Sequence, residues 1–87
     1  MSQVRGVMVA DPNPEATAIQ RALEQNLRAA ELHEATARCH RAAAQCHRLQ
    51  DSDGALQWAE KAHMKCNDSF NATIVAHKWS AGDHSRY

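Results

Sequence analysis

The sequence predicts an all-α fold, a long antiparallel helical hairpin that dimerises into a four-helix bundle. Three observations carry this reading. No Gly or Pro falls between Glu15 and Gln50, turn-forming residues cluster at Asp51-Ser52-Asp53-Gly54, and apolar residues recur at helical spacing on both sides of that cluster. A chain of 87 residues has room for one domain. Its residues are 44% apolar but only 5% aromatic, so most of the apolar content is Ala, whose single methyl buries little surface. The core of one copy is therefore thin, and self-association or docking onto another protein is expected on energetic grounds.

Residues 1–13 read as an extended N-terminal segment, because Asp11-Pro12-Asn13-Pro14 blocks any earlier helix start. Asn13 suits the N-cap, Pro14 the first helical position, and Glu15 the first turn, where the helix dipole favours negative charge. The first helix is expected over about 14–50, with Glu24–Arg28 and Glu34–Arg38 as supporting i,i+4 pairs. At about 1.5 Å per residue it runs roughly 55 Å, which calls for an elongated hairpin. Within it, Cys39-His40 and Cys46-His47 follow Leu32-His33 at seven-residue intervals. Residues seven apart return to nearly the same helix face, giving a stripe of Leu32, Cys39 and Cys46 beside a stripe of His33, His40 and His47.

The turn is placed at 51–54 and the second helix over about 54–79. That helix carries Leu56, Ala59, Cys66, Phe70 and Ile74 on one stripe. Asn67-Asp68-Ser69 are weak helix formers, but the stripe keeps its phase across them, so continuation is expected over a break. Residues 80–87, with Gly82, form a loose tail. Folding the chain at this turn sets Cys46 near Trp58 and Cys39 near Met64 to Cys66, with the two stripes facing each other. Ile19, Leu23 and Leu27 are left with too few partners and are assigned to the dimer interface.

Residues 36–69 resemble one tetratricopeptide repeat unit, a helix-turn-helix used as a protein-interaction scaffold. The likeness lies in the run ALQWAEKA, where Ala55, Ala59 and Ala62 occupy that family's packing positions, and in Ala43 at the small position of the first helix. It departs at Cys39, Ala42 and Cys46, where larger residues are usual, and at Asn67, where a helix-ending Pro is typical. Such repeats stack at least three times, and one unit is visible. The resemblance implies that His40, Ala44 and His47 face a ligand.

Ten basic and ten acidic residues cancel, so no overall field draws the chain to nucleic acid or to an anionic membrane. Residues 35–50 nevertheless hold Arg38, Arg41 and Arg48 and no acidic residue. Lacking interleaved aromatics, this patch suits an acidic protein partner as well as phosphate. The expected partner-binding residues are His40, His47, Arg41, Arg48, Trp58 and Trp79, the last two as aromatic anchors.

Catalysis is not expected. There is no nucleophile elbow and no Gly-rich phosphate loop, and adjacent helical residues such as Cys39 and His40 point about 100° apart, too far for a nucleophile and its base. No catalytic residue and no cofactor are assigned. The alternative is a zinc- or copper-binding bundle using Cys39, His40, His63 and Cys66, two of them at i,i+3 and two across the hairpin. Six His also permit a pH-responsive assembly. Three Cys without a disulfide framework fit a reducing compartment, and Val7-Met8-Val9-Ala10 is too short to target or span a membrane. A cytoplasmic location follows, and the Ala and Arg content suits a GC-rich bacterial or phage genome. The sequence thus predicts a small non-enzymatic interaction or regulatory module whose partners are itself and another protein.

Overall fold

In the computed structural model, residues 14–82 are described. They form two helices, α1 (Pro14–Arg48) and α2 (Ser52–Ser80), packed along each other as an all-α hairpin. The expected N-terminal segment at 1–13 and positions 83–87 of the tail lie outside the described residues. The hairpin is only 13 Å across its thinnest direction, about the thickness of a single helix layer. Both flat sides of the slab are therefore surface.

The first helix stops at Arg48, two residues short of the expected end, for a reason visible in the backbone. The Asp51 amide donates to the Cys46 carbonyl at 2.8 Å and the Gln50 amide to the His47 carbonyl at 3.0 Å. This crossed pair is the Schellman closure, which needs a left-handed residue, and Gln50 supplies it with φ 60°. A side chain in that region costs about 1–2 kcal/mol relative to Gly.

The reversal is tighter than the expected 51–54 turn. Asp51 caps α2, its Oδ1 accepting from the Gly54 amide at 3.0 Å. Asp53 sits in the first turn, where the helix dipole stabilises its charge. Gly54 is thus helical, and its value is space. A Cβ there would press into the Asp51 carboxylate and come within 3.1 Å of Cys46 Sγ. The second helix runs unbroken through Asn67-Asp68-Ser69, as its sequence phase predicts. Ser69 hides its polarity by donating to the Cys66 carbonyl at 3.0 Å.

The heights at which the arms meet are close to the expectation, with Thr36 level with Ser69 and His33 with Thr73, but α2 turns a different face inward. The side chains that meet are Ala29, Thr36, Cys39 and Ala43 from α1 with Ala55, Ala62, Ser69, Ala72 and Ala76 from α2. Ala29, Thr36 and Ala43 are seven apart, as are Ala55, Ala62, Ser69 and Ala76. The stripe of Leu56, Ala59, Cys66, Phe70 and Ile74, expected to face α1, is exposed. Leu56 and Phe70 stand one position, about 100°, from the buried ladder, and Ala59 and Cys66 four positions, about 40°. Small side chains at every seventh position let two backbones approach closely along their whole length, which alternating Leu and Phe would prevent. Of the expected α1 stripe, Cys39 is buried, while Leu32 and Cys46 are half-buried at the margin. Leu32 packs against Ala29, Ala72 and Ala76.

Near mid-length the seam carries two hydroxyls. Thr36 Oγ1 donates to the Leu32 carbonyl at 3.0 Å and lies 3.4 Å from Ser69 Oγ. Every polar atom of this pair has a partner, so burying it costs little. The expected Glu24–Arg28 pair does not form. Glu24 faces Arg21 at 3.9 Å and accepts from Gln20 at 3.1 Å.

Candidate interaction surface

Two hydrogen bonds across the hairpin show which residues border the seam on one side. Asn26 Nδ2 donates to Ser80 Oγ at 2.9 Å, and His33 Nε2 lies 2.7 Å from Thr73 Oγ1. Asn26 and His33 are seven apart on α1, and Thr73 and Ser80 seven apart on α2. Continuing by sevens brings in His40 and His47 on α1 with Cys66 and Ala59 on α2. The next rows outward are Leu23, Ala30, Ala37 and Ala44 on α1 and Leu56, His63, Phe70 and His77 on α2.

This broad face has a property that no single helix reveals. It contains His33, His40, His47, His63 and His77, every His among the described residues, and no Asp, Glu, Lys or Arg. All formal charges of the two helices fall on other rows. Yet Phe70 is 62% exposed and Leu56 59%, and Ile19, at the open end of the same rows, is 65% exposed. An uncharged face with large exposed apolar groups is what a contact surface requires, because covering it strips no ion of water.

The expected partner-binding residues are distributed around the hairpin. His40 and His47 lie on the uncharged face, and Arg41 and Arg48 are exposed beyond it on the charged back of α1. Trp58 lies across the seam from the histidine rows, under the Lys61 ammonium, which sits 4.6 Å from its ring centroid. Trp79 is half-buried and lines an open cleft with Ala18, Ile19 and Ala22. Of the expected dimer-interface residues, Ile19 and Leu23 lie on the uncharged rows, whereas Leu27 stands on the charged back of α1 in the row of Glu34, Arg41 and Arg48; all three are exposed.

Of the proposed metal ligands, Cys39 is enclosed in the seam, whereas His40, His63 and Cys66 are exposed. Among the described residues no group of three or more His, Cys, Asp or Glu is placed to hold a metal ion. Cys39, Cys46 and Cys66 are free thiols. Of the alanines that carry the repeat-like pattern, Ala43, Ala55 and Ala62 are buried and Ala59 is exposed. Among the described residues no helix is long and apolar enough to cross a membrane.

The stripe of His33, His40 and His47 was read from the sequence, but its joining with His63 and His77 on one face was not, although a signal exists there. Once the small-residue ladder is taken as the inside, the rows beside it on the side of His33 and Thr73 are free of charge over the whole length of both helices. The comparisons with known proteins are empty: no family model, no curated protein and no solved structure matches this chain.

Proposed function

We propose that this hairpin is a non-enzymatic interaction module that works by presenting its apolar exterior to a protein partner, first of all to a second copy of itself. One observation carries the reading: the interior is built of Ala, Cys, Thr and Ser, while Phe70, Leu56, Leu23 and Ile19 stand outside. Each Ala methyl contributes about 0.8 kcal/mol on burial, against about 1.5–3 kcal/mol for a side chain such as Leu or Phe. Most of the stabilisation available to this sequence is thus left to intermolecular contact. A reducing intracellular compartment suits three unpaired thiols, one of them exposed.

Native mass spectrometry of the reduced chain, purified with and without chelator, tests this reading. The expected result is a metal-free oligomer. A strictly monomeric chain at micromolar concentration that is fully helical and melts cooperatively would overturn it, since such a hairpin needs no cover. A whole-number metal load removed by chelator would also overturn it.

A further inference from the structure

We propose that two copies dock through the uncharged face, with α2 of each laid over α1 of the other and Phe70 seated on the partner's Ala37. This rests on the reading of the chain as a self-associating module, and adds the surface and the packing.

The argument is one of shape. Asn26 stands level with Ser80 and His33 with Thr73, so moving seven residues up α1 moves seven residues down α2. By the same count Ala30 is level with His77, Ala37 with Phe70, and Ala44 with His63. Over this stretch the outer row of α2 is large, with His63, Phe70 and His77, and the row level with it on α1 is small, with Ala44, Ala37 and Ala30. A two-fold axis running along the hairpin between two facing copies exchanges these rows, setting His63, Phe70 and His77 of one copy over Ala44, Ala37 and Ala30 of the other. The face is self-complementary, as a closed two-fold contact demands.

Charge and area agree with a second copy. A charged partner finds no counter-charge on this face, whereas a copy brings another uncharged one. From Leu23 to His47 α1 rises about 36 Å, and two adjacent helices span about 20 Å, so the face covers on the order of 700 Å2. A standard interface takes about 800 Å2 from each partner.

Sedimentation equilibrium of the reduced full chain at pH 8 provides the test, with circular dichroism confirming helicity of each variant. Phe70→Ala and Ala37→Phe are each expected to weaken the dimer at least about tenfold, and the double variant, which swaps large and small, to recover most of that loss. Should Ala37→Phe lose helicity, Ala44→Glu, on an exposed position, replaces it and is expected to give monomer. A dimer indifferent to Phe70→Ala and Ala44→Glu would overturn this packing while leaving the module reading intact. A wild-type chain that is monomeric at pH 8 would overturn both.

Discussion

The inside and the outside of this hairpin have exchanged their usual residues. Along the seam, Ala62 is fully buried and Ser69 is 1% exposed, whereas one position further round the same helix His63 and Phe70 stand in solvent. Hydrophobicity alone would turn the helix the other way. The difference teaches that spacing outranks residue size here: an unbroken ladder of small groups lets two backbones touch over many turns, and the summed close contact outweighs a few larger side chains.

The sharpest way to break that comparison is to enlarge the inside. Ala62→Leu puts a branched side chain where no space exists and is expected to destabilise the hairpin by about 3 kcal/mol, lowering its melting temperature by at least about 10 °C. The control is Leu56→Ser on the exposed row, which should move thermal unfolding of the hairpin by less than about 0.5 kcal/mol when dimerisation is blocked by Phe70→Glu. If the two changes cost the same, the small ladder is not the inside.

Thiol chemistry offers a second contrast. In the Phe70→Glu background, exposed Cys66 should be alkylated at least about a hundredfold faster than buried Cys39, because Cys39 must wait for local opening. Peptide mapping after timed labelling reads both sites in one sample, and equal rates would mean the seam is open.

Smaller effects sharpen the picture at the turn. Asp51→Ala removes the cap on α2 and should cost about 1 kcal/mol in urea unfolding. Gln50→Gly should work in the opposite direction, gaining about 0.5 kcal/mol by relieving the left-handed residue at some cost in chain entropy. A loss of stability on Gln50→Gly would show that the glutamine side chain holds the turn.

Much of this architecture is legible in the amino-acid sequence. Pro14, the long run without Gly or Pro, and the Asp51–Gly54 cluster mark two helices and one reversal, because these residues act locally through backbone geometry and capping. Continuity through Asn67-Asp68-Ser69 was legible too, from the phase that Cys66, Phe70 and Ile74 keep across it, although that stripe is exposed. The facing rows were not. Leu56, Phe70 and Ile74 advertise a core through their size, and choosing between them and Ala55, Ala62 and Ala76 requires knowing how closely α1 approaches. That distance belongs to the pair of helices and to neither sequence segment alone. The histidines followed the same fate: His33 and His63 lie far apart in the chain, and only the register of the fold puts them on one side.

The seven-residue ladder also sets the increments in which this molecule can change length. Removing seven residues from each arm, at matching heights, would shorten the rod by about 10 Å and leave the inner and outer rows in phase. Removing four or five from one arm would twist everything beyond the cut out of alignment. The hairpin is thus graduated in heptads, and at Thr36 and Ser69 both arms bring a hydroxyl to the seam at the same height, 3.4 Å apart.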